Sequence, residues 1–211
     1  MKKIVVVFLA AMFVSATASA GLLFEEDFET PAVEGYAQGT TPDSWVRANQ
    51  GYGGSRHGLN NLGDNQVYSF RYTNSGITSA VGVIGALDSA LTYTVSFDVS
   101  ADQDLTKLSY NAALMVFDAE VARNDVRSTP SGAAVLDELI GSAPDDGSVA
   151  TASFEVLGAD FASLAGKDIA VRFKGASSSA NIDNVSVSAI PEPATFAILG
   201  LGGLLLRRKR S

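Results

Sequence analysis

The sequence predicts an all-β protein, an antiparallel β-sandwich, carrying a targeting segment at each end. Three observations lead there. Leu91 to Ser100 alternates apolar and polar side chains without interruption, the two-residue period of a strand with one face in a core. Further short runs of β-forming residues recur along the chain, separated by Gly, Ser, Asn and Asp clusters at Asn60–Asn65, Ser142–Ser148 and Gly175–Asn181. Residues 1–20 and 190–211 are apolar stretches bordered by cations, unlike the 169 residues between them.

Residues 1–20 have the build of a secretory signal peptide. Lys2 and Lys3 form the charged start, Ile4 to Val14 the apolar stretch, and Ala18-Ser19-Ala20 a small-residue cleavage site. Cleavage is expected before Gly21, which makes the secretion machinery and signal peptidase partners. Within residues 21–189, Gln66 to Thr73 sets Tyr68, Phe70 and Tyr72 on one face, expected in the core. Leu108 to Phe117 is apolar on both faces, as in a strand covered on each side, with a short helix as the alternative. Ala133 to Ile140 is expected to form one or two helical turns. Ala150 to Val156, Ile169 to Phe173 and Ile182 to Ala189 complete the strands. Many short strands with turn-rich connections favour a sandwich over an α/β fold.

Six of the 15 Lys and Arg lie in the two end segments, against one of the 23 Asp and Glu. The central domain therefore keeps nine cations and 22 acids, a formal charge of −13. Such a surface repels nucleic acid and anionic lipid. The chain has no cysteine, so an exported fold rests on its apolar core, and thiolate chemistry is absent.

Residues 190–211 combine three signals in order. Pro191 and Pro193 hold the entry extended. From Ala194 to Leu206 only Thr195 is polar, and Arg207, Arg208, Lys209 and Arg210 then resist crossing a bilayer. Thirteen helical residues reach roughly 20 Å, short of the roughly 30 Å hydrocarbon core. Transient inner-membrane insertion followed by processing is expected. Pro191-Glu192-Pro193, the short apolar run and the basic cluster resemble the PEP-CTERM sorting signal of exopolysaccharide-producing Gram-negative bacteria. The resemblance implies an exosortase, a membrane-embedded transpeptidase-like enzyme, as partner. It further implies a destination at the cell surface, the outer membrane or the extracellular matrix, in association with exopolysaccharide.

The domain carries a second resemblance. Leu22 to Glu29, containing Asp27-Phe28-Glu29, followed by Pro42-Asp43-Ser44-Trp45 and closed by Asn181-Ile182-Asp183-Asn184-Val185, looks like jelly-roll carbohydrate-binding-module-like domains, with Asn184 in place of a second acid. There the first and last strands often share a structural calcium, which the resemblance would assign here to Asp27, Glu29 and Asp183. Calcium takes six to eight oxygens. Asp183 shares the parity of Val185 and Val187 and is expected to face the core, where an unpaired carboxylate is costly.

Sugar binding uses flat exposed rings. Trp45, the only tryptophan, is expected in the core. Tyr36 and Tyr52 lie in Gly-rich stretches, and Tyr52 in Asn49-Gln50-Gly51-Tyr52-Gly53-Gly54 is the better ligand contact, with Arg56 beside it. Asp102-Gln103-Asp104 and Asp145-Asp146-Gly147 read as solvated turns. His57 is the only histidine, which rules out a multi-histidine zinc site within one chain. No Gly-x-Ser-x-Gly elbow is present, and nothing singles out a carboxylate pair for glycoside hydrolysis. The leading expectation is a non-catalytic surface or matrix protein. A glycan-binding module with a defined site is the alternative, and a surface-polymer hydrolase the third reading.

Overall fold

A computed structural model describes residues 20–47, 57–70, 76–80, 82–101, 109–117, 133–175 and 180–192. These form twelve strands and one short 3-10 helix, Gly158–Leu164. One sheet contains β1 (Gly21–Glu26), β2 (Tyr36–Gln38), β4 (His57–Asn61), β5 (Gln66–Phe70), β7 (Leu91–Ala101), β10 (Val149–Leu157) and β12 (Ala180–Pro191). Its order is β10-β7-β12-β5-β4-β2, with β1 also beside β12. The second sheet contains β3 (Trp45–Arg47), β6 (Gly76–Ser79), β8 (Ser109–Phe117), β9 (Ala134–Ser142) and β11 (Asp168–Gly175). Its order is β3-β6-β11-β8-β9. All these pairings are antiparallel, and the two sheets enclose one apolar core.

The alternation in β7 sets this arrangement. Tyr93, Val95, Phe97 and Val99 are buried in the core, while Thr94, Ser96, Asp98 and Ser100 are partly exposed on the other face. Aromatic rings knit the two sheets together. Trp45 lies 5.7 Å from Phe24, 5.5 Å from Phe28 and 6.1 Å from Phe173, and Phe97 meets Phe173 edge-on at 5.0 Å. Such pairs contribute about 0.5–1.5 kcal/mol each beyond burial. The indole N–H needs a partner inside, and Glu26 supplies it. Its Oε2 accepts from Trp45 Nε1 (3.2 Å) and Ser44 Oγ (2.6 Å), and its Oε1 accepts from the Phe28 amide (2.9 Å). Acids at the end of the first strand and a tryptophan after a proline are thus parts of one contact.

Two expectations about elements change. Ala133 to Ile140 is not helical. Residues 134–142 form strand β9 against β8, and an extra residue at Leu136 breaks the register between Leu114 and Met115. That bulge destroys the alternation a strand would otherwise show. Asp183 does not face the core either. The β7–β12 register shifts between Asp183 and Ser186, where Asn184 has φ +47°. Ile182 is in the core before the bulge, and Val185, Val187 and Ala189 after it. Asp183 is therefore turned to the outer face, opposite Asp98. The two-faced apolar pattern of β8 holds: Ala112, Leu114 and Val116 enter the main core, while Ala113, Met115 and Phe117 join Ala170 on the other side.

Candidate functional site

The outer face of the first sheet holds a pocket of about 150 Å³ between β5, β7 and β12. Asn65, Asp98, Ser100, Asn181 and Asp183 supply its polar lining, and Leu62, Val67 and Val149 its apolar wall. At about 30 Å³ per liquid water, it has room for roughly five waters or one sugar-sized group.

The polar residues are pre-positioned by one another. Asp98 Oδ1 accepts from Thr151 Oγ1 (2.6 Å) and its Oδ2 from Asn184 Nδ2 (3.0 Å). Asp183 Oδ2 accepts from Asn65 Nδ2 (2.9 Å), and its Oδ1 from the Asn184 amide (2.8 Å). The same Asn184 that makes the bulge therefore holds both carboxylates. Asn181 is fully buried. It accepts from Ser69 Oγ (2.6 Å) and donates to the Ala101 carbonyl (3.2 Å), which fixes the floor. Burial pushes the Asp183 carboxyl above its ordinary range; the Asn65 and Asn184 hydrogen bonds oppose this, and the charges of Glu29 and Asp98 add to it. A carboxylate has about four lone-pair sites, so each acid retains acceptor capacity toward the opening. Such a site accepts hydroxyl donors while Leu62, Val67 and Val149 meet C–H surface.

The expected calcium ligands do not form one oxygen shell. Asp27 is exposed and accepts from the Glu29 amide (3.1 Å), and Glu29 Oε1 accepts from the Gln66 amide (2.9 Å). Among the described residues no group of three or more His, Asp or Glu side chains could hold a metal ion. As arranged, these three acids do not fit the calcium that the resemblance implied.

Tyr36 stands on β2 opposite Asn60, away from the pocket. Trp45 is in the core. Tyr52, Arg56, Ala18, Pro193, Arg207, Arg208, Lys209 and Arg210 lie outside the described residues. Gly21 opens β1 opposite Ala189, and Ala20 precedes it, exposed. Pro191 ends β12, two residues past the expected domain boundary, and the Glu192 amide donates to the Ala90 carbonyl (2.9 Å). Among the described residues no helix is long and apolar enough to cross a membrane.

Sequence reasoning gave no site role to Asn65, Asp98, Asn181 or Asn184, although Asn181 and Asn184 stand in the closing motif that carries the second resemblance. One signal was present. The run Asn181-Ile182-Asp183-Asn184 places three residues with poor strand propensity inside a strand, as a bulge or a site would.

Gln66 frames the adjoining loop. Its Nε2 donates to the Phe28 and Pro31 carbonyls, the latter at 2.9 Å, and its Oε1 accepts from the Val33 amide (2.8 Å). Asn61 Nδ2 adds a bond to the Val33 carbonyl (3.0 Å).

Residues 189–210 match the family model of the PEP-CTERM protein-sorting motif. No curated protein matches the chain. Among solved structures, a cyclase from Fischerella sp. TAU is similar at 15% identity, covering 83% of this chain and 100% of its own, with a TM-score of 0.63. The CBM22-1 xylan-binding domain of Paenibacillus barcinonensis Xyn10C is similar at 11% identity, covering 84% and 100%, with a TM-score of 0.52. At these identities the likeness is one of fold. The chain thus joins a jelly-roll-like β-sandwich, of the kind found in carbohydrate-binding modules, to a PEP-CTERM motif that marks it for exosortase-dependent sorting to the cell surface.

Proposed function

We propose that this is an exported, non-catalytic surface or matrix protein that binds a neutral glycan, such as a segment of exopolysaccharide, through the Asp98–Asp183 pocket. Secretion machinery and signal peptidase act at its amino-terminal end, and the exosortase at its carboxy-terminal end. The observation that carries the binding reading is the pocket itself: two ordered carboxylates with free lone pairs beside an apolar wall. Vicinal hydroxyls and a C–H face present the complementary surface. That a xylan-binding domain shares the fold supports the same reading.

Polysaccharide pull-down and glycan-array binding with residues 21–192 test it. Saturable binding is expected, weakened roughly ten- to hundredfold in Asp98→Ala, the worth of a hydrogen bond to a charged group. Binding unchanged in Asp98→Ala but lost in Tyr52→Ala would move the site to the Gly-rich loop. One observation favours a second reading, hydrolysis of a surface polymer: Asp183, held toward its protonated form by burial, sits opposite Asp98. Polymer turnover that disappears in Asp183→Asn would establish it.

A further inference from the structure

The sorting motif begins inside the folded sheet, with residues 189–191 in β12. Pro191 is the last residue of β12 and pairs with Leu91, after Ile190 with Thr92. Beyond it the Glu192 amide donates to the Ala90 carbonyl (2.9 Å). The acceptor side is rigid. Asp88 Oδ1 accepts from the Ala90 amide (2.9 Å), the Asp88 carbonyl from the Leu91 amide (3.2 Å), and the Asp88 amide donates to the Tyr93 hydroxyl (2.6 Å). As far as Ala189, β7 flanks β12 on one side and β1 on the other, with Gly21 opposite Ala189; beyond that pair β7 alone flanks it.

We propose that this strand end is the processing site in its latched state, and that the exosortase acts only after residues 190–192 peel from β7. The inference rests on the sorting reading above. An enzyme that reads a peptide binds it extended and pairs with its backbone N–H and C=O groups. At Glu192 that N–H is already taken by Ala90. Removal of the tail breaks one peptide bond. The acyl group on the domain side passes to water or an acceptor amine, and the tail leaves with a new amino group. None of this can begin on a paired strand.

The latch is built to open. Past Ile190, among the described residues, only the Glu192 amide donates to the β7 side. Glu192 Oε1 is buried with no hydrogen-bond partner among the described residues, which penalises the closed state. Strand ends of this kind open at low free energy.

The chain has no cysteine, so a single engineered disulfide tests the proposal in the full-length protein, expressed in a host with an active exosortase. Thr92→Cys with Ile190→Cys cross-links the last full pair. Thr94→Cys with Ser188→Cys cross-links a pair two residues further in and leaves the end free. Mass spectrometry reads tail removal. The oxidised 92–190 protein is expected to keep its tail at least tenfold longer than wild type, to lose it once reduced, and the 94–188 protein to be processed normally. Wild-type processing of the oxidised 92–190 protein, or equal blockage by both cross-links, overturns the latch. A wild-type chain that keeps its tail overturns the sorting reading as well.

Discussion

Replacing Gln66 by Glu changes one heavy atom, Nε2 to oxygen, and should cost the domain much of its stability. Gln66 is 2% exposed, and its Nε2 is the donor for both the Phe28 and Pro31 carbonyls. A carboxylate keeps the Val33 contact but turns an acceptor toward two carbonyl oxygens. Each lost bond and each buried carbonyl left unmatched costs about 1–3 kcal/mol, giving a loss of about 2–6 kcal/mol against a total of roughly 5–15. Trp45, the only tryptophan and nearly buried, reports unfolding directly. In urea the midpoint should fall by about 1 M or more, given slopes of about 1–3 kcal/mol/M. Protonation of the new carboxyl restores one donor, so the gap to wild type should narrow as pH is lowered from 7 to 5. Gln66→Met should lose comparable stability with no such recovery. A Gln66→Glu protein within 1 kcal/mol of wild type, or a gap indifferent to pH, would show that this network does not hold the loop.

Two other substitutions probe the two outer faces. Burial favours the neutral form of Asp183, so the native state holds that proton more tightly than the unfolded chain. Its contribution to stability therefore falls as pH rises from the ordinary aspartate value of 3.8 through the raised native value, and is constant above it. Asp183→Asn should remove that slope from the urea midpoint measured against pH; an unchanged slope would place its origin elsewhere. On the second sheet, Arg172 is 3% exposed with Nε and Nη1 lacking partners among the described residues, and burial pulls its pKa down against the opposing pull of Glu138. Arg172→Met should stabilise the domain by about 1–3 kcal/mol, the cost of the buried unmatched donors it removes, and a lower urea midpoint would reveal a hidden anionic partner.

Where the chain keeps a strict period, the fold was legible. The alternation names Tyr93, Val95, Phe97 and Val99 of β7 and Tyr68 and Phe70 of β5, all of them core residues, with Trp45 where a short strand after proline would put it; Tyr72 lies outside the described residues. Where an extra residue interrupts the period, the reading failed in direction. Leu136 hides the strand character of β9, and Asn184 reverses the facing of Asp183. A period-two argument carries sign only as far as the next bulge, because one inserted residue exchanges the two faces. The sequence marks the second case by residue type. Asparagine is among the few non-glycine residues that enter the left-handed region readily, and Asn184 stands where the resemblance expected an acid. The pocket was harder to foresee, since Asn65, Asp98 and Asn181 come from three separated strands or turns and only the register joins them.

β12 carries the consequence of that bulge along its whole length. Before Asn184, the residues facing outward are Asn181 and Asp183, which line the pocket. After it, Val185, Val187 and Ala189 face inward and close the core beside β1. The same strand then runs on into Pro191 and Glu192. The pocket and the start of the sorting motif therefore lie on the two sides of one register shift against β7, with Asp183 opposite Asp98 before it and Pro191 opposite Leu91 after it. A one-residue slip would turn Asp183 inward, expose Val185 and Val187, and shift the motif relative to Ala90. Burial of an unmatched carboxylate together with loss of several buried apolar side chains costs several kcal/mol. The bulge thus selects the register in which the pocket forms and the motif reaches the end of the sheet.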